Sequence, residues 1–197
     1  MDSQIISEAK PENLNRIAAI HQTVLKDTFT SQVGKSFIAK LYELLISDEP
    51  LSKVFIVKKA GVVEGFISIT RSRLAINNRV NQFLGFTGKL RLSLFVLLHP
   101  RIIKELFNKI MLDNYIAKNY RDSYPSILTL GVSPKYQGKG IGRTLILRSD
   151  KYFKEQGLSK YFVDTEMKNK SAVQFYLELG FRPATTISGN IILEKNI

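Results

Sequence analysis

The chain has 197 residues, 44% of them hydrophobic, enough to bury one sizeable core without covalent staples. It contains no cysteine, which excludes a disulfide framework, a thiolate metal site and a cysteine nucleophile. Its formal charge of +12 suits an anionic partner: nucleic acid, an acidic membrane face or a phosphorylated small molecule.

The opening Met1 to Gln4 lacks the basic and then apolar run of a signal peptide, so a cytoplasmic location is expected. A short strand is followed by a helix, with Leu14, Ile17, Ala18, Ile20 and His21 at helical spacing after Pro11. A second helical pattern runs through Phe37, Ile38, Leu41, Leu44 and Leu45 and stops near Pro50. Val54 to Val57 and Val63 to Thr70 are β-rich runs, and Gly61 between them predicts a hairpin turn.

Residues 72 to 123 interrupt the sheet. Leu90 to Leu98 and Ile102 to Tyr115 read as helices with a break at His99 and Pro100, so this stretch is expected to be a helical insertion in a single domain spanning 1–197. From Arg71 to Arg121 ten basic residues face two acidic ones, Glu105 and Asp113, so +8 of the +12 lies here. The apolar run Leu92 to Leu98 is far short of the roughly 20 residues that cross a bilayer. A core helix with a solvated basic face, or peripheral contact with an anionic membrane, accounts for it.

Ser126 to Val132 alternates like a strand and runs into Ser133 and Pro134. Arg143 to Gln156 is a helix closed by Gly157, Tyr161 to Thr165 a strand, and Ser171 to Leu179 a helix closed by Gly180. Thr185 to Glu194 supplies a final pair of strands around Gly189.

Between the strand at 126–132 and the following helix stand Gln137, Gly138, Lys139, Gly140, Ile141, Gly142 and Arg143. Glycines at alternate positions let backbone N–H groups turn toward an anion, and the helix start adds the positive end of its dipole. The spacing excludes a P-loop, which needs Gly-Lys-Ser/Thr, and a dinucleotide fingerprint, which needs glycine where Arg143 stands. A plain structural turn also fits these glycines.

Val132, Pro134, Gln137, Gly140 and Gly142 together resemble the acetyl-CoA motif of the GNAT N-acyltransferase superfamily, Gln/Arg-x-x-Gly-x-Gly/Ala after a Val-x-Pro strand end. Asn169, Ala172, Phe175, Tyr176, Gly180 and Phe181 resemble that family's second block. The resemblance covers about 126 to 183 and implies a mixed α/β fold. Its central, mostly antiparallel twisted sheet would have one splayed parallel strand pair, flanked by helices. Acetyl-CoA would enter between the strands at 126–132 and 161–165, with no metal. Leu130 and Val132 would bond the pantetheine amides, and the N–H groups from Gln137 to Arg143 the pyrophosphate. Asn169 and Ala172 would line the cofactor, and Tyr176 would act as general acid toward the leaving thiolate. Tyr176 also falls on helical spacing with Ala172 and Leu179, as a core residue would, and Asn169 is an ordinary helix cap.

The strand at 126–132 lacks the glutamate that some members use as a base. Asp164, Glu166, Glu64 and His21 are the side chains that could take its place, and a water relay is the alternative. The acceptor implied is a primary amine of a small molecule. The segment 15 to 45 resembles members of amino-sugar pathways, and a basic insertion suits a nucleotide-linked amino sugar rather than a polyamine. A non-catalytic acyl-CoA-binding module, a protein or peptide N-acetyltransferase and a nucleic-acid-binding protein are the other readings, and either a monomer or a homodimer fits.

Overall fold

A computed structural model describes residues 4–99, 101–120 and 124–197, with side chains except at 87, 89–92, 94, 101 and 102, and in them seven strands, seven α-helices and two single 3₁₀ turns, Pro11–Asn13 and Pro134–Tyr136. Pro100 at the expected break, Arg121, and Met1 to Ser3 lie outside the described residues, as do the side chains of Lys89, Arg91 and Arg101.

The strands are β1 (Ile5–Glu8), β2 (Ser52–Lys59), β3 (Val62–Thr70), β4 (Ser126–Val132), β5 (Lys160–Glu166), β6 (Arg182–Ile187) and β7 (Asn190–Asn196). They form one sheet in the order β1-β2-β3-β4-β5-β7-β6. Every pairing is antiparallel except β4 with β5. Ala60 and Gly61 both take positive φ in the β2–β3 turn, the handedness that matches the twist of the strands it joins.

One face of the sheet is covered by α6 (Ile141–Glu155) and α7 (Lys170–Glu178), with Ile67, Ile69, Ile127, Leu145, Phe153 and Val163 in their common core. The other face carries α1 (Leu14–Val24) and α3 (Lys35–Ser47) on Ile56 and Phe66, with the short α2 (Phe29–Val33) between them. Farther along that face, α5 (Arg101–Tyr120) presses Leu112 and Ile116 onto Tyr124, Phe162 and Ile192.

The helix expected from Leu90 begins much earlier. It is α4 (Arg73–Leu98), started by Ser72, whose hydroxyl accepts from the N–H of Ala75 at 3.2 Å, and interrupted at Gly85. Its apolar residues are spread around the axis, so the first half carries no helical signature in the sequence. The final hairpin likewise starts at Arg182, before the expected Thr185, and α6 starts at Ile141, ahead of the expected Arg143.

Candidate active site

The parallel pair does not stay paired. β4 and β5 meet at Ser126 with Phe162 and at Ile127 with Val163, and there the pairing ends. The cause lies on the other edge of β4. Against β3, Ser68 faces Thr129 and Ile69 faces Ile127, so Leu128 is an extra residue. Such a bulge bends its strand and strengthens the local twist, which turns the rest of β4 away from β5. A wedge opens between Leu128 to Val132 on one side and Asp164 to Glu166 on the other.

The glycine loop lies where β4 ends. Gln137 straps it down, its side-chain Nε2 donating to the Val132 carbonyl at 3.1 Å and its backbone N–H donating to the Pro134 carbonyl at 3.3 Å. The N–H of Gln137, expected to face an anion, is therefore already committed. Gly138 and Gly140 take φ of +73° and +79°, and a Cβ at either would meet open space. Thr144 is the first residue to donate into the helix, to the Gly140 carbonyl at 3.0 Å. Among the described residues, the N–H groups from Gly138 through Arg143 have no acceptor. They form a cradle of unpaired donors at a helix start, flanked by exposed Lys139 and Arg143. Lys139 and Lys135 lie over the Tyr136 ring at 5.3 and 5.8 Å, which holds two ammonium groups beside the loop.

Ile141 and Gly142 act through packing as well. The Ile141 side chain is fully buried, and a Cβ on Gly65 would lie 2.8 Å from its Cγ2, so the start of α6 rests on the bare backbone of β3. A Cβ on Gly142 would lie 3.0 Å from Cζ of Phe175 and 3.9 Å from Leu130. The two sequence blocks thus meet at one point, with the Phe175 ring of α7 set against the start of α6 and the open half of β4. Leu130, Val132 and Ala172 are half-buried around that contact.

Asn169 caps α7. Its Oδ1 accepts from the Ala172 N–H at 3.1 Å and from the Ser171 hydroxyl at 3.0 Å, leaving the amide Nδ2 for other partners. Tyr176 is buried one residue beyond Phe175, edge-on to Phe175 and Phe181 at 5.3 and 5.2 Å. Burial, and then the Asp164 carboxylate, push its phenol above the ordinary tyrosine value, so it stays protonated.

On the opposite face, each carboxylate or imidazole singled out as a base is already engaged. Asp164 accepts from Nη1 of Arg73 at 2.9 Å, and Glu166 pairs with Lys168 at 3.0 Å. Glu64 is buried and accepts from Gln4 at 3.1 Å. His21 is held by the Tyr42 hydroxyl at 2.8 Å and Thr30 at 3.0 Å, and burial lowers its pKa to about 4, so it is neutral near pH 7. The Tyr42 hydroxyl is in turn close to those of Ser68 and Thr129, the latter on the bulged part of β4.

Sequence reasoning missed a buried ionic cluster beside the wedge. Arg73, at the start of α4, joins Asp164 of β5 to Asp113 of α5 at 3.4 Å, with the unpartnered Tyr124 hydroxyl among them. Burial opposes the Arg73 charge, but Asp164 and then Asp113 outweigh it and hold the guanidinium protonated. Arg73 is therefore not free for an external anion. Nothing in the sequence distinguishes it from its basic neighbours.

Residues 108–181 match the family model described as the Acetyltransferase (GNAT) family. A mycothiol acetyltransferase of Nocardia farcinica is 37% identical over 71 residues, 34% of this chain and 23% of that protein. A spermidine N(1)-acetyltransferase of Thermoplasma acidophilum is 32% identical over 69 residues, 35% of this chain and 43% of that one. The chain thus spans less than half the length of these curated relatives. Among solved structures, the PaiA N-acetyltransferase of Thermoplasma acidophilum in complex with coenzyme A superposes with a TM-score of 0.64 at 15% identity, over 99% of both chains. The chain thus has the fold of that solved acetyltransferase, and its segment 108–181 is similar to the GNAT acetyltransferase family.

Proposed function

We propose that the chain transfers an acetyl group from acetyl-CoA to a primary amine of a small molecule. The observation that carries this reading is the cradle of unpaired N–H groups at Gly138 to Arg143, set at the mouth of the β4–β5 wedge. A pyrophosphate needs such donors, and an extended amide-bearing arm needs an unpaired strand edge beside them. The names of relatives, mycothiol and spermidine acetyltransferases, agree with an amine acceptor.

In this reading the N–H groups of Gly138 to Arg143, with Lys139 and Arg143, hold the diphosphate, and the free edge of β4 at Leu130 and Val132 pairs with the pantetheine. The Asn169 amide and the Ala172 methyl border that arm. Acetyl-CoA supplies an activated acyl group whose sulfur can leave. As the amine nitrogen forms its bond to the carbonyl carbon, the bond to sulfur breaks, and the nitrogen gives up one proton. Tyr176 donates a hydrogen bond to the departing sulfur. A phenol above its ordinary value near 10 does not fully surrender its proton to a thiolate whose conjugate acid titrates near about 8.5, so the role is charge stabilisation rather than outright protonation. With Asp164, Glu166, Glu64 and His21 engaged elsewhere, the amine proton leaves through solvent.

For the acceptor we favour an amino sugar or nucleotide-linked amino sugar, on the makeup of the segment 15 to 45 and the basic stretch. Thiol release from acetyl-CoA should be followed against nucleotide amino sugars, aminoglycosides, amino acids, polyamines and peptide N-termini. Release with an amino sugar supports the reading, while preference for a polyamine or a peptide reassigns the acceptor. Tight acetyl-CoA binding with no thiol released from any amine leaves a non-catalytic binding module.

A further inference from the structure

α5 has two apolar faces, and the fold uses one. Leu112 and Ile116 are buried against the sheet, while Asp113 joins Arg73, and Glu105 accepts the Phe29 N–H at 3.0 Å. These residues share one side of a helix with 3.6 residues per turn. Ile103, Phe107, Ile110 and Met111 recur at i, i+4, i+7 and i+8 on the opposite side, where Phe107 is 59% and Ile110 56% exposed. At the end of α4, a few residues before this stripe in the chain, Leu97 and Leu98 are each 75% exposed. Phe95 does not join them, because its ring turns inward to Phe29 at 6.3 Å.

Cations border the outer face. Lys104 and Lys118 are exposed and, among the described residues, have no acidic partner. They stand on a stretch whose sequence charge is +8, from ten basic residues and two acidic ones, although Arg73 and Arg79 of that stretch are paired within the fold and do not contribute to this face. Glu105 and Asp113, those two, both point to the inner face and leave no acidic side chain in the outer stripe.

We infer that the outer face of α5, together with the exposed end of α4, docks on an anionic phospholipid bilayer. An apolar stripe bordered by lysines is the composition that seats a helix in the plane of a membrane surface, its apolar side in the acyl boundary and its lysines at acidic headgroups. Charge complementarity selects this occupant. A second copy placed through a two-fold axis would set the same lysines against each other, and nucleic acid would leave the leucines and phenylalanine without a partner. No helix among the described residues is long and apolar enough to cross a membrane, so the contact is peripheral. Because the inner face of the same helix holds Asp113 on the Arg73 and Asp164 cluster, docking would set the wedge at a fixed distance from the lipid.

The test is flotation of the full chain with vesicles of phosphatidylcholine alone and of phosphatidylcholine with phosphatidylglycerol in equal amounts. The wild type should float with the mixed vesicles, weakly or not at all with the neutral ones, and less as salt rises. Phe107→Ser with Ile110→Ser should abolish flotation. Lys104→Glu with Lys118→Glu should reduce partitioning at least about 25-fold, from roughly five-fold per lysine removed. All four positions are exposed, and circular dichroism checks that each variant is folded; the salt dependence of the wild type tests the inference without any substitution. Equal partitioning into both vesicle types, no flotation with either, or a wild-type dimer that becomes monomeric in Phe107→Ser/Ile110→Ser overturns it. The readout does not depend on acetyl transfer.

Discussion

Replacing Gly140 by glutamate separates an anion cradle from a mere turn. A side chain there meets nothing within 4 Å, so the cost to the fold is conformational: φ is +79°, and an L-residue in that region costs about 1–2 kcal/mol. A fold with a stability of roughly 5–15 kcal/mol survives that. The loop, however, can escape the cost by relaxing toward negative φ, which turns the N–H groups of Gly140 and Ile141 out of line. Hydrogen bonds to a charged acceptor are worth about 1.5–3 kcal/mol each, so losing one or two weakens acetyl-CoA binding by about 2–4 kcal/mol, or roughly 30- to 1000-fold. The new carboxylate adds repulsion of about 1–3 kcal/mol at about 5 Å, depending on how much water intervenes. Calorimetric titration of acetyl-CoA into wild type, Gly140→Ala and Gly140→Glu should show affinity falling in that order, with melting temperatures lowered by a few degrees at most. Equal affinity in folded Gly140→Glu refutes the assignment of the diphosphate to this loop.

Tyr176→Phe should lower kcat about 10- to 100-fold while acetyl-CoA affinity stays within about two-fold, measured by steady-state thiol release and calorimetry, because the aromatic contacts survive and only the hydroxyl is lost; unchanged kcat removes its role. His21 is neutral in the fold with a pKa of about 4, against about 6.5 when unfolded. The unfolded chain therefore takes up a proton that the fold refuses, so stability is full above pH 6.5 and falls by about 3 kcal/mol toward pH 4. Denaturant melts should show that this part of the slope disappears in His21→Gln. Arg73→Leu leaves Asp113 and Asp164 facing each other without their cation and should cost about 3–5 kcal/mol, read by chemical denaturation, with Arg73→Lys recovering part of the loss.

The elements that the sequence announced are those whose signals are local. The strand at 126–132, the loop at 137–143 and the helix ending at Gly180 each carry their own period, turn residue or cap within a few positions. What stayed hidden depends on distant partners. The bulge at Leu128 exists only in register with β3, about sixty residues earlier, and no residue within β4 marks it. Gln137 looked like part of the anion site, yet its N–H and side chain fasten the loop to Pro134 and Val132. Arg73 and Asp164 lie 91 positions apart, so a cation counted toward an anion-seeking patch turned out to be internal. Arg79 likewise leans on Asp48 at 3.4 Å.

This division follows the two faces of the sheet. On the α6–α7 face, the proposed donor site is built from β4, the loop and α7, contiguous pieces joined through Gly142, Phe175 and Leu130, so short motifs suffice to specify it. On the other face, the wedge is bordered by α1, α2, the start of α4, α5 and β5, which meet through isolated long-range contacts such as Phe29 with Glu105 and Arg73 with Asp164. No compact motif can encode such a surface, because its residues are brought together by contacts between distant parts of the chain. The proposed acetyl-CoA side is therefore legible in the sequence while the proposed amine side is not, and a test of the acceptor has to start from side chains of α2, α4 and α5 rather than from the motif at Gln137 to Gly142.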